Sequence, residues 1–276
     1  MPLVDVGEVS LYYETHGDRA DPAIVLVRGL GTQLIEWPHT LIDGLTRDGL
    51  YVVTFDNRDA GLSSEATATG KSPAYRLEDM ANDVVGLLDA LDIERAHVFG
   101  ISLGGMVAQH VAFAHADRML SLVSVMSTSG NPDLPRPAPA ILARLGATAE
   151  GEAAIVAQNA EDRRVFGSPA YPESEAVRLA AARAAYARSY RPAGVARQMQ
   201  AVVAGGSRVE RLTRVAVPTL VVHGREDPLI PVAAGEDTAR LVPGAKLAVV
   251  PGMGHNIPEA LGATIARIVV NFVASL

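Results

Sequence analysis

The sequence predicts an α/β protein, a largely parallel sheet with helices on both faces and a helical segment inserted late in the chain. Three observations carry that expectation. Short β-rich runs alternate with longer helical patterns through most of the chain. Most of those runs are continuously apolar, as strands buried on both faces require. One long stretch, from about residue 131, drops the β rhythm until about residue 209. With 276 residues, 49% hydrophobic and 20% charged, the chain can bury enough surface to offset its ordering entropy, so one large core with an insertion is the simplest organisation.

In chain order, residues 9–14 alternate at period two and read as an antiparallel edge strand, while 23–27, 51–55 and 96–99 are short apolar runs suited to buried parallel strands. Residues 76–91 form a helix because Leu77, Met80, Val84, Leu87, Leu88 and Leu91 fall on one stripe. A helical pattern over 106–115 leads to a strand at 120–126. Pro132, Pro135, Pro137 and Pro139 then forbid helix and ladder alike. From 140 to about 206 the chain is rich in Ala and Arg at helical spacing, with no strand candidate. The β pattern resumes at 219–222 and 246–250, and 258–273 closes the chain as a helix. The division is a core of residues 1–130 and 209–276 and a helical insertion of residues 131–208 over one end of the sheet, with a linker as the alternative for its Pro-rich start.

Composition excludes several chemistries. There is no cysteine, which removes disulfides, thiolate nucleophiles and Cys-ligated metals. A net charge of −7 with no basic cluster argues against a nucleic-acid partner. The first residues show no basic stretch before an apolar run, and no 18-residue apolar segment occurs, so the expectation is a cytoplasmic protein with no membrane partner. No dinucleotide, P-loop or zincin motif is present, and His110 and His115, five apart, do not share a helical face. No cofactor and no metal are expected.

The informative motif is Gly100-Ile101-Ser102-Leu103-Gly104, a G-x-S-x-G sequence with an apolar strand before it and a helical pattern after it. A strand-to-helix turn this tight holds the serine in a strained conformation with its hydroxyl exposed, so the residues two before and two after must lack bulk. It also leaves the Leu103 N–H free at a helix start to donate to an oxyanion. A serine hydroxyl needs a general base, and the base needs a carboxylate to fix its tautomer. His255, in the glycine-rich loop after the last strand, is the candidate base among seven histidines. Asp227, just before Pro228 in the loop after 219–222, is the candidate carboxylate, with Glu226 as runner-up. The loop after 23–27, Arg28-Gly29-Leu30-Gly31-Thr32, offers the Leu30 N–H as a second oxyanion donor.

Ser102, Asp227 and His255, in that order on alternating β and α elements, resemble the α/β-hydrolase superfamily. The resemblance covers nearly the whole chain, implies a sheet of about eight strands, and makes residues 131–208 similar to that superfamily's helical cap. Residues 56–63 look like its D-x-R-G-x-G-x-S loop with Asp59 in place of Gly, and Arg28 stands where relatives carry His. Serine as nucleophile separates the chain from the epoxide hydrolases and haloalkane dehalogenases of the fold, which use Asp. Within the superfamily the sequence is most similar to bacterial carboxylesterases of the aclacinomycin methylesterase-like type. The resemblance implies a serine esterase acting on a small or medium ester, with a homodimer left open. The alternatives are a lactonase, a perhydrolase or cofactor-free haloperoxidase, a carbon-carbon bond hydrolase, or a non-catalytic ligand receptor. Two side-chain expectations complete the reading. Arg28, if turned inward, pairs with Asp56 or Asp59 at the end of the neighbouring strand; the alternative is that it points at the pocket and attracts anionic substrates. Tyr186 and Tyr190 are candidate pocket aromatics, with a place in the cap's own core as the equal alternative.

Overall fold

A computed structural model describes residues 2–66, 73–145 and 149–276. Its strands are β1 (Leu3–Val6), β2 (Val9–His16), β3 (Ala23–Val27), β4 (Tyr51–Phe55), β5 (Ala96–Ile101), β6 (Met119–Val125), β7 (Thr219–Gly224) and β8 (Lys246–Val250). They form one sheet in the order 1-2-4-3-5-6-7-8. The pairs β1/β2 and β2/β4 are antiparallel and the remaining pairs are parallel. The helices are α1 (His39–Arg47), α2 (Leu77–Ala90), α3 (Leu103–Ala114), α4 (Pro139–Leu145), α5 (Glu152–Val165), α6 (Glu175–Arg188), α7 (Pro192–Gly205), α8 (Val209–Leu212), α9 (Val232–Leu241) and α10 (Glu259–Val273).

The apolar strands are apolar because both of their faces are covered. Val25, Val27, Val53 and Val98 pack with α2 and α3 on one side, while Ile24, Leu26, Val52 and Phe99 pack with α1 and α10 on the other. Helices α1 and α10 lie together on that second face, where the Cα of Gly262 comes so close that an added methyl would sit 2.2 Å from Thr40 Oγ1. Among the described residues no helix is long and apolar enough to cross a membrane.

Helices α4 to α7 lie between β6 and the short α8, and no strand interrupts them among the described residues. α5 and α6 share a small core of Val156, Ala160 and Ala182, against which Leu179 and Tyr186 pack. Polar contacts fasten this segment to the rest. Arg188 pairs with Asp56 at 2.7 Å, Arg197 with Asp59 at 2.6 Å and Arg163 with Glu36 at 3.1 Å. The Asp56 and Asp59 side chains are fully buried, so each depends on the arginine that reaches it from α6 or α7.

Candidate active site

Strand order decides where a site forms. The chain passes from β3 to β4 on one side and returns to β5 on the other, so a crevice opens between the loops that leave the carboxyl ends of β3 and β5. Ser102 follows β5 at this crevice with φ 53° and ψ −119°, a positive-φ backbone that costs a non-glycine residue about 1–3 kcal/mol. The Ser102 N–H donates to the Val125 carbonyl at 2.9 Å, and Ser127 Oγ donates to the Ser102 carbonyl at 2.8 Å, which hold the residue there. A methyl on Gly100 would lie 2.1 Å from the Gly104 carbonyl oxygen, and one on Gly104 would lie 2.2 Å from that of Val27. Both glycines are therefore required by contact with backbone, the reason their spacing suggested.

His255 lies in the loop after β8 and Asp227 in the loop after β7. Asp227 Oδ2 is 2.7 Å from His255 Nδ1, and His255 Nε2 is 3.0 Å from Ser102 Oγ. A carboxylate can only accept here, so Nδ1 carries the imidazole proton and Nε2 presents its lone pair to the serine hydroxyl. The other carboxylate oxygen, Oδ1, accepts the N–H groups of Leu229 at 2.9 Å and Ile230 at 2.8 Å. Glu226 points elsewhere: its Oε2 accepts the Gly252 N–H at 2.6 Å and so braces the histidine loop. The stretch after α5 holds that loop too, because the His255 N–H donates to the Phe166 carbonyl at 2.7 Å and the Gly254 N–H to Ser168 Oγ at 3.0 Å.

His223 is buried behind Asp227. Its Nε2 lies 2.8 Å from the Ile230 carbonyl oxygen and 3.6 Å from Asp227 Oδ2. Burial lowers its pKa, so it stands as a neutral ring with the proton on Nε2. His97 on β5 and His110 on α3 are also buried, and desolvation pushes each down to about 4.

The candidate oxyanion donors are the N–H groups of Leu30 and Leu103. A methyl on Gly29 would be 3.4 Å from Ser102 Cβ, so the loop bearing Leu30 passes against the serine side chain. Leu103 is the first residue of α3. Among the described residues neither the Leu30 nor the Leu103 N–H has a protein acceptor.

Arg28 turns inward, but its pairing differs from expectation. Asp56 and Asp59 are taken by Arg188 and Arg197, and no carboxylate among the described residues lies within ion-pair distance of Arg28. Its guanidinium instead donates to Thr32 Oγ1 at 3.1 Å and the Glu36 carbonyl at 3.2 Å, and stacks 4.5 Å over Trp37. Burial pulls its pKa down to about 10. Asp59, where the resembled pattern has glycine, adopts φ 70° and so keeps the glycine-like backbone.

Tyr186 and Tyr190 stack with centroids 5.1 Å apart, Tyr186 against the α5–α6 core and Tyr190 43% exposed. Near the triad a cleft of about 190 Å³ lies between the Thr128–Pro137 run and Leu229, Ile230 and Pro231. A larger one, about 510 Å³, sits around Arg19, Tyr51, Asp92 and Arg95 at the opposite, amino ends of β3 to β5. Sequence reasoning did not single out Phe166, Ser168 or Gln198, whose roles arise from contacts across 86 to 167 residues of chain and carry no local signal.

The chain is similar to known proteins over most of its length. It is 26% identical to rhodomycin D methylesterase DnrP of Streptomyces peucetius, covering 94% of this chain and 93% of that one. It is 31% identical to 3-oxoadipate enol-lactonase 2 of Acinetobacter baylyi, covering 83% and 80%. The crystal structure of the enol-lactonase from Burkholderia xenovorans superposes with a TM-score of 0.81 at 29% identity, covering 99% of this chain and 100% of that one. A family model described as the alpha/beta hydrolase fold matches residues 22–259, and with the sheet order and the strained Ser102 turn it places the chain in the alpha/beta hydrolase fold family.

Proposed function

We propose that the protein is a serine hydrolase that cleaves small or medium carboxylic esters through Ser102, His255 and Asp227. The observation that carries this reading is the unbroken chain from Asp227 Oδ2 to His255 Nδ1 at 2.7 Å and from His255 Nε2 to Ser102 Oγ at 3.0 Å, ending on a serine held at positive φ. In this account Ser102 Oγ attacks the ester carbonyl while His255 Nε2 takes its proton, and Asp227 stabilises the resulting imidazolium. The carbonyl oxygen gains charge between the N–H groups of Leu30 and Leu103, a role supported by neither N–H having a protein acceptor among the described residues. Collapse breaks the bond to the alkoxy oxygen, His255 returns the proton to it, and the alcohol leaves. Water then attacks the acyl-serine with His255 again as base, releasing the acid and restoring the Ser102 hydroxyl.

Residues 131–208 act in this reading as a cap over the site, and their contacts with the His255 loop support it. Cyclic esters are a second substrate class, favoured by the 31% identity to an enol-lactonase. A panel of p-nitrophenyl esters of increasing acyl length, assayed beside simple lactones, tests both. Turnover that vanishes in Ser102→Ala supports the proposal, and a folded protein with no turnover on any member would sink it.

A further inference from the structure

Helix α7 reaches the core through one buried polar side chain. Gln198 is fully buried and both ends of its amide are engaged. Its Nε2 donates to the Arg58 carbonyl at 2.8 Å and its Oε1 accepts the Gly31 N–H at 2.8 Å. Because the nitrogen must face a carbonyl, the amide orientation is fixed and the oxygen is committed to Gly31. The Gly31 N–H belongs to the peptide plane joining Leu30 to Gly31, and the Leu30 N–H belongs to the plane before it. Only the φ and ψ of Leu30 separate the two planes, so fixing one restricts the other.

The first half of the loop is held from within the core. Asn57 Nδ2 donates to the Arg28 carbonyl at 3.0 Å and Thr32 Oγ1 to the Gly29 carbonyl at 3.0 Å. The second plane is held by α7. Among the described residues Gln198 is the only acceptor for the Gly31 N–H. Gly31 sits at φ 66°, and a methyl there would lie 2.8 Å from Val195 Cγ2, so α7 packs on the plane as well as bonding to it.

We propose that Gln198 is a positioning residue for the oxyanion loop, one that fixes the Leu30–Gly31 peptide so that the Leu30 N–H stays aimed at the ester carbonyl oxygen. This rests on the esterase reading given above and extends it, since the inserted segment then takes part in stabilising the transition state. The neighbouring residue supplies a control. Arg197 grips Asp59 through Nε at 2.9 Å and Nη2 at 2.6 Å, anchoring the same helix without touching the Arg28–Thr32 loop.

The test compares Gln198→Met with Arg197→Met on one p-nitrophenyl ester and with an alkyl boronic acid, which bonds to a serine oxygen and fills the oxyanion position. Removing an oxyanion donor outright costs about 100- to 1,000-fold, so loosening one should lower kcat by about 10- to 100-fold. We expect that loss in Gln198→Met, with KM changed less than about two-fold and the boronic acid weakened in parallel with kcat. Arg197→Met should change kcat less than about three-fold. Equal kcat losses in the two variants would make Gln198 a mere anchor and overturn the proposal, as would a folded Gln198→Met with unchanged kcat and unchanged boronic acid affinity. If that variant does not fold, amide exchange in the unmodified protein decides. Strong protection of the Gly31 amide supports the proposal, and exchange at the unstructured rate overturns it. A wild-type protein that neither turns over esters nor binds the boronic acid would remove the esterase reading itself, a result distinct from all of these.

Discussion

Asp227→Asn changes one atom of the hydrogen-bonded chain, and the surrounding backbone decides which one. Asp227 Oδ1 accepts two N–H groups, from Leu229 at 2.9 Å and Ile230 at 2.8 Å. An asparagine can satisfy both only with its carbonyl oxygen in that place. The opposite rotamer would set an NH2 against two N–H donors and leave both unpaired, at about 1–3 kcal/mol each. The amide nitrogen must therefore occupy the Oδ2 position, 2.7 Å from His255 Nδ1, and donate to it. That forces the imidazole proton onto Nε2, the atom 3.0 Å from Ser102 Oγ, where a proton acceptor is needed. The same change in a serine protease triad lowers kcat by about 10,000-fold, equivalent to about 5.5 kcal/mol of barrier. A loss of about that size is expected here on any ester, with stability nearly unchanged because the two backbone bonds survive. The assay is kcat at neutral pH with a p-nitrophenyl ester, together with nitrogen NMR of His255 to identify its tautomer. Glu226→Gln is the comparison and should cost far less, since Glu226 binds the Gly252 N–H and not the imidazole. Retention of a tenth or more of wild-type kcat in Asp227→Asn would refute the reasoning, as would a larger loss in Glu226→Gln.

Buried groups set two further outcomes. His97 has a folded pKa of about 4 against an unfolded value near 6.5. The unfolded chain thus binds more protons between those values, and the stability present above pH 6.5 is lost as the pH falls toward 4, by about 3 kcal/mol. Urea melts should show the stability of wild type relative to His97→Asn dropping by about that amount from pH 7 to pH 4, and a constant difference would contradict it. Arg28→Met removes a buried cation whose depressed pKa marks a desolvation cost of about 3 kcal/mol, while giving up hydrogen bonds and a Trp37 contact worth about as much together. The expected result is stability within about 2 kcal/mol of wild type and a several-fold fall in kcat for all esters alike. A rise in KM confined to acidic esters would instead place Arg28 in the substrate pocket.

What could be read from the sequence was what a local pattern records. The runs at 23–27 and 51–55 match β3 and β4 residue for residue, because strands covered on both faces must be apolar throughout, and 246–250 matches β8, the edge strand, although its first two residues are exposed. β1 leaves no such mark because four residues, Leu3 to Val6, are too few to show a period. α9 is equally hard to read: the residues it buries include Ala234, Gly235, Asp237 and Thr238, so its inner face carries little hydrophobic signal. The turn around Ser102 was legible in its glycines, since each meets backbone oxygen at a distance no methyl tolerates. The partners of Asp56 and Asp59 were not, because their place at the end of the strand neighbouring Arg28 suggested that residue, whereas the arginines come from α6 and α7, more than 130 residues away. Gln198 lies in an unremarkable helical stretch, and only the fold brings its amide to the loop after β3.

The central claim is that the Ser102 hydroxyl is the nucleophile and that His255 activates it. Its most direct test is intact-mass analysis after treatment with a fluorophosphonate probe. Wild-type protein should gain one adduct per chain, mapped to Ser102 by peptide sequencing, while Ser102→Ala gains none and His255→Ala reacts far more slowly. A stoichiometric adduct on a different residue, or labelling that persists in folded Ser102→Ala, would contradict the account.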